Sequence, residues 1–367
     1  MSRYDKRAAN RVRTPVEAIN LAGCGGIAMG GLVEPWGQPR AGKSVFAYQC
    51  AQYLLEDYGD EAVIGILPAE GAVNKVRLKR TFGLDVDKDD RIWVAPAFTI
   101  EAGNKVLTEW CNDVAEQRKI ALFIWDTISA STIDLAYDAI QASVKEDATK
   151  KEQDGGSRNS NLPMATAAVL KWMLKNMLAL TYEKPTLIMF INQVTSKANQ
   201  FSVTEDSGGG WALRHNVNER YQFTYKGKTG GENSDEDNKK RKFDIFTGTE
   251  SFVSISKSRF IPIMKNIPLF IDDTVGGKFI PEQELVALGI NSGIVTQKSG
   301  GWYNVNGGKN VTRADLAADP ALLQQIRDAF VAKLRSDFSS VDWEYKEFEE
   351  TGVLPKAGVK PAKGKKK

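Results

Sequence analysis

Histidine is nearly absent from this 367-residue chain: its single copy, His215, would have to serve any Ser-His-Asp or Cys-His chemistry, and a multi-histidine metal site cannot be built. Cysteine is scarce as well. Cys24, Cys50 and Cys111 are far apart and odd in number, which argues against a disulfide framework and a zinc ribbon. No run approaches the ~18 apolar residues of a membrane span, and the charged start MSRYDKRAANRVR has no apolar stretch behind it, so neither a membrane segment nor a signal peptide is expected. The expected compartment is the cytoplasm.

What is present is ordinary globular material, 42% hydrophobic and 26% charged, long enough for one large domain with an appendage or for two domains. The net charge of +3 hides an asymmetry. Setting aside the eleven basic and one acidic residues of 1–13 and 356–367, out of 49 and 46, leaves 38 against 45, a net of −7 for the middle. Tail lysines ending in Lys365, Lys366 and Lys367 suit nonspecific attraction to phosphates or serve as a solubilising end.

Along the chain, apolar strand-like runs alternate with amphipathic helices. Leu32–Trp36, Ala62–Leu67 (AVIGIL), Arg91–Ala95, Ile120–Trp125 (IALFIW) and Thr186–Ile191 (TLIMFI) read as buried strands, and Lys43–Glu56, Asn74–Thr81 and Ile100–Gln117 as crossover helices. The pattern predicts an α/β fold, a mostly parallel sheet flanked by helices, with active groups at the carboxyl ends of the strands. Periodicity stops at 144–161, an expected mobile loop. A helix follows with an apolar stripe of Val169, Leu170, Met173, Leu174, Met177 and Leu178, and 194–210 is a second expected mobile loop. Domain boundaries are expected at a leader of 1–24, a core of 25–270, a small α+β domain of 271–350 and a basic tail of 351–367.

Gly37-Gln38-Pro39-Arg40-Ala41-Gly42-Lys43-Ser44 fits G-x-x-x-x-G-K-[ST] between a strand and a helix. In that setting glycines let backbone N–H groups wrap an anion at a helix N-terminus, Lys43 reaches the β/γ-phosphates, and the Ser44 hydroxyl can ligate Mg²⁺. Val45 follows directly. Asp126 closes IALFIW, as a carboxylate for the metal or as a helix cap. Glu70, after AVIGIL, is a candidate to activate water, or a solvated loop glutamate.

WGQPRAGKS, Ala69-Glu70, Asp126-Thr127, INQV at 191–194, TESFVSISKSRF at 249–260 and KSGGWYNVNGGK at 298–309 together resemble the RecA-type DNA strand-exchange recombinases of bacteria and phages, in order and spacing from Thr14 to Leu334. The resemblance implies a P-loop core with a small α+β C-terminal domain and an ATPase that takes ATP and Mg²⁺. Gly37, Gly42, Lys43, Ser44 and Val45 would bind phosphates, Ser44 and Asp126 would hold the metal, and Glu70 would activate water. Gln193 would sense the γ-phosphate. Lys257 and Arg259 would reach a neighbouring subunit's nucleotide, whereas residue type alone makes them an exposed strand face. DNA contacts would come from Lys150, Lys151 and Arg158 in the first loop and from Lys197, Asn199, Gln200, Gly208, Gly209 and Gly210 in the second, with Lys171 and Lys175 on the next helix; otherwise these loops are plain surface. His215 would pack at a subunit interface.

The implied partners are single-stranded DNA, homologous double-stranded DNA and further copies of the chain in a helical filament, serving DNA recombination and repair in a bacterial or phage-infected cell. Three features depart from the family: the leader is short, the first loop is long and the tail is basic. A hexameric helicase motor is the nearest competing reading, and the 30-residue leader has no room for its collar domain. A paralogue that binds ATP without hydrolysing it is the other, against which Glu70, Gln193 and Lys257 stand.

Overall fold

The computed structural model describes residues 10–69, 71, 74–116, 120–134, 136, 162–183, 185–199, 202–208, 210–229, 246–342, 345 and 346, a few of them by backbone alone. The chain divides into two compact units, one of residues 30–259 and 263–280, the other of 1–29, 260–262 and 281–367.

The larger unit is built on an eleven-stranded sheet. Its strands are β3 (Gly31–Gly37), β4 (Ala62–Pro68), β5 (Ile92–Val94), β6 (Ile120–Asp126), β7 (Thr186–Phe190), β8 (Asn192–Asn199), β9 (Ser202–Ser207), β10 (Glu219–Thr229), β11 (Gly248–Lys257), β12 (Ile267–Asp272) and β13 (Lys278–Phe279), preceded in the chain by two short strands of the other unit, β1 (Arg11–Val12) and β2 (Ile27–Ala28). The order is β13-β12-β11-β10-β3-β7-β6-β4-β5, with β8 beside β3 and β9 beside β8. From β10 to β5 every pairing is parallel; from β10 to β13 they are antiparallel. The expected α/β class with a mostly parallel sheet is what the chain adopts.

The sheet is covered on both faces, which is why β6 could be a continuous apolar run: Ile120 to Trp125 are all buried. Helices α2 (Lys43–Tyr58) and α3 (Lys75–Phe82) follow β3 and β4. Phe46 of α2 packs its ring on Tyr221 and Phe223 of β10, at 5.8 and 5.4 Å between centroids. Helices α4 (Ile100–Glu116), α5 (Leu162–Glu183) and α6 (Gly210–Asn216) share a cluster with Phe123, Trp125 and Phe190. The α5 stripe is core as expected: Leu170, Met173, Leu174 and Met177 are buried, with Val169 and Leu178 packed against them.

In the smaller unit β1 (Arg11–Val12) pairs with β2 (Ile27–Ala28), and α1 (Glu17–Ala22) lies between them. Helix α7 (Pro281–Asn291), a three-stranded sheet of β14 (Val295–Gln297), β15 (Trp302–Val305) and β16 (Val311–Thr312), and helices α8 (Arg313–Ala318) and α9 (Pro320–Asp337) complete it. Buried Glu284 of α7 accepts the backbone N–H groups of Glu17 (2.5 Å) and Ala18 (3.1 Å), and Arg327 of α9 reaches Glu17 at 3.0 Å. Burial, with the neighbouring charge of Glu17 second, raises the Glu284 carboxyl well above the ordinary glutamate range.

Two expectations differ from this architecture. A boundary at 270 would cut β12, whose alternating burial over Ile267, Leu269 and Ile271 continues the core sheet; the smaller unit is instead discontinuous, with 281–367 joined by 1–29 and 260–262. The stretch 194–210, expected as a mobile loop, contains a β8–β9 hairpin in register from Val194↔Ser207 to Asn199↔Ser202. Its paired residues include only three apolar ones, Val194, Ala198 and Val203, so backbone pairing rather than a regular apolar alternation defines it. The first expected loop, 144–161, lies outside the described residues.

Candidate nucleotide and nucleic-acid site

The turn between β3 and α2 is shaped by two glycines. At Gly37 φ is 139°, and a Cβ would lie 2.0 Å from the Phe223 carbonyl oxygen; at Gly42, the residue preceding α2, φ is 99°, and a Cβ would meet Ile271 at 2.8 Å. Neither position tolerates a side chain, because β10 and β12 press against the loop. Lys43 is buried and turns back, donating from Nζ to the carbonyls of Gly37 (3.0 Å) and Gln38 (2.7 Å).

A pocket of about 410 Å³ opens on this loop, lined on one side by Arg40, Gly42, Lys43, Ser44 and Val45. Its other wall includes Arg77 of α3, Lys228 of β10, Thr249 of β11 and Asp273 after β12. Asp273 accepts from Lys228 Nζ at 2.6 Å and from Thr249 Oγ1 at 2.7 Å, while Arg77 Nε is tied to the Gly276 carbonyl at 2.9 Å. Arg40, Lys43, Arg77 and Lys228 face one carboxylate, so the pocket favours a polyanion, and the N-terminus of the sixteen-residue α2 adds its partial positive charge. The second wall was not singled out from sequence.

Asp126 ends β6, and its Oδ2 accepts a hydrogen bond of 2.9 Å from Tyr48 Oη on α2. The residues fit a nucleotide with Mg²⁺: Ser44 and Asp126 are the oxygen donors in question, and a hard cation that keeps several waters and takes phosphate oxygens needs few protein ligands. Gln193 lies in parallel register with Gly37, which sets it beside the first residue of the loop motif.

Behind Gln193 runs a buried polar chain. Glu34 of β3, fully buried, accepts from Asn192 Nδ2 at 2.8 Å and from Arg220 Nε at 2.5 Å. Asn192 Nδ2 also donates to the Gly208 carbonyl at 2.8 Å, and Arg220 Nη2 donates to Ser207 Oγ at 2.8 Å. The Arg220 guanidinium stacks 5.0 Å over Trp36. The foot of the β8–β9 hairpin is thereby pinned to the strand that leads into the loop.

Lys257 closes β11 and donates from Nζ to the carbonyls of Arg214 (2.5 Å) and His215 (3.1 Å) at the end of α6. Burial, then the charges of Arg259 and Arg220, lower its pKa. Within one chain this lysine caps a helix; Arg259 and His215 are exposed. Lys171 and Lys175 are exposed on α5, and Trp172 between them is 60% exposed. Lys197 and Asn199 lie on β8, Gly210 opens α6, and Gly208 ends the hairpin. Glu70, Lys150, Lys151, Arg158, Gln200 and Gly209 lie outside the described residues.

No protein-family model matches the chain. Among curated proteins it is similar to Protein RecA of Sinorhizobium medicae, 26% identical over 316 residues that span 84% of this chain and 75% of the relative. Protein RecA of Methylococcus capsulatus is 26% identical over 328 residues, 88% and 82% of the two chains, and that of Chelativorans sp. is 22% identical over 342 residues, 91% and 82%. Similarity over most of the chain supports a RecA-like family, and the mostly parallel sheet flanked by helices is consistent with a RecA-like core.

Proposed function

We propose that this chain is an ATP-dependent DNA strand-exchange recombinase that assembles into helical filaments on single-stranded DNA and pairs it with homologous duplex. The observation that carries this reading is the cationic pocket on the Gly37–Ser44 turn, with Gln193 in register beside it and the β8–β9 hairpin anchored behind it. Lys43 holds phosphate oxygens. Ser44 and Asp126 hold the Mg²⁺ ion, which when bound neutralises charge on the phosphates. Glu70 takes the proton of the attacking water, and Gln193 carries the state of the γ-phosphate to the hairpin. Lys257 and Arg259 complete the site of the next subunit, where added positive charge stabilises the transferring phosphoryl group. In that role Lys257 leaves its two carbonyl partners on α6, so assembly and the end of the second DNA segment are linked. DNA is held by Lys150, Lys151 and Arg158, by Lys197, Asn199, Gln200 and Gly208 to Gly210, and by Lys171 and Lys175.

Glu70→Gln tests the hydrolytic step: it is expected to keep ATP-dependent DNA binding and to lose most turnover, measured by phosphate release. Turnover at the wild-type rate would remove Glu70 from its role. The α5 face is tested separately. Lys171→Ala with Lys175→Ala should flatten the log–log salt dependence of single-strand binding by about 1.4, at ~0.7 for each lost phosphate contact. Trp172→Ala should weaken binding by roughly five- to a hundred-fold at unchanged slope, as expected for one lost stacking contact. An unchanged slope in the double variant, or full affinity in Trp172→Ala, excludes this face from the DNA path.

A further inference from the structure

Tyr48 is a residue to which neither the sequence pattern nor the similarity to known proteins gives a role. It stands four residues after Ser44 on α2, about one turn along, so the hydroxyl expected at the cation and the tyrosine share a helix face. From there its Oη reaches Asp126 Oδ2 at 2.9 Å across the end of β6. Its ring packs against Phe82 of α3, centroids 5.9 Å apart and tilted by 49°, and Phe82 is itself buried. The phenol is thus held at the ring by one helix and aimed by another at the carboxylate that ends the strand.

We propose that Tyr48 is a positioning residue for the Mg²⁺–nucleotide site, setting the orientation of Asp126 before the cation arrives. The proposal rests on the reading of the Gly37–Ser44 turn as a nucleotide site. A carboxylate turns about its terminal torsion, and fixing it on binding costs rotamer freedom. A hydroxyl donating to one ionised oxygen makes a charge-assisted bond that fixes that torsion in advance. Groups that orient a metal's ligands in this way commonly contribute about 10- to 100-fold to its affinity. Asp126 acts through water or directly on the cation; Tyr48 acts only through Asp126.

The test is a Mg²⁺ titration of fluorescent ATP-analogue binding to the full chain. Tyr48→Phe keeps the ring and its contact with Phe82 and removes only the hydroxyl. The half-saturating Mg²⁺ concentration is expected to rise about tenfold, while affinity for the analogue in EDTA stays at the wild-type value and the thermal midpoint falls by no more than the few degrees expected for one lost hydrogen bond. Tyr48→Leu, which also gives up the ring contact, should lower the thermal midpoint yet show the same Mg²⁺ shift. In an Asp126→Asn background, Tyr48→Phe should add nothing, because the two residues act as one unit. An unchanged or lowered Mg²⁺ requirement in Tyr48→Phe, or an equal shift in the Asp126→Asn background, overturns the proposal while leaving nucleotide binding in place. A wild-type chain that fails to bind the analogue, or a Lys43→Ala chain that binds it equally well, overturns the nucleotide reading and this proposal with it.

Discussion

Lys43→Ala is expected to remove ATP binding from a chain that still folds. Among its contacts, the ammonium donates to two carbonyls of its own turn, and the side chain adds nothing to the pairing of the sheet, so the variant is expected to fold. On the proposed reading the same group would exchange those carbonyls for phosphate oxygens, and a charged hydrogen-bonding partner withdrawn from a polyanion costs on the order of 3 kcal/mol, a factor of about a hundred. Direct binding of a fluorescent ATP analogue, with circular dichroism as the control for folding, measures it. DNA binding by the variant should no longer respond to ATP. Wild-type affinity in Lys43→Ala would show that the pocket holds its ligand by some other group.

Arg220→Ala is expected to cause a large loss of stability. Glu34 is fully buried, and Arg220 Nε at 2.5 Å is its ion-pair partner, with the charges of Arg214 and Lys257 acting on it from further away. Truncating one member of such a pair leaves a buried carboxylate without its ion-pair partner, held only by Asn192, an effect of about 3–5 kcal/mol, and here Ser207 loses a donor as well. Chemical denaturation of the intact chain reads the change. Because the pair joins the hairpin foot to β3, Arg220→Ala should also weaken the response of ATP binding to added DNA. The combination with Glu34→Leu should recover part of the stability, since replacing both charges removes the unpaired one. A loss below about 1 kcal/mol in the single variant would mean that Glu34 is compensated elsewhere.

The loop motif was legible because its chemistry is written in consecutive residues: only glycine fits where β10 and β12 crowd the turn, and lysine and serine must follow at fixed places. The alternation of apolar strands and helices was legible for the same kind of reason, since burial on both faces leaves no polar residue in β6 before Asp126 at its end. The opposite wall of the pocket was not. Arg77, Lys228 and Asp273 come from α3, β10 and the turn after β12, and none carries a local signature. Asn192 and Arg220 are unremarkable in sequence and are defined by a buried carboxylate on a distant strand. The β8–β9 hairpin lacks apolar alternation, so it read as a loop. The sequence assigns α1 to a short leader and does not show what holds it, because its anchor, Glu284, is an acid that would ordinarily be solvated.

Negative-stain imaging of the chain with single-stranded DNA and a nonhydrolysable ATP analogue tests the central claim most directly. Continuous helical filaments that form with the analogue, and that are lost with Lys43→Ala, are the predicted result. Six-membered rings, or protein that stays unassembled on DNA whether or not the analogue is present, would contradict it.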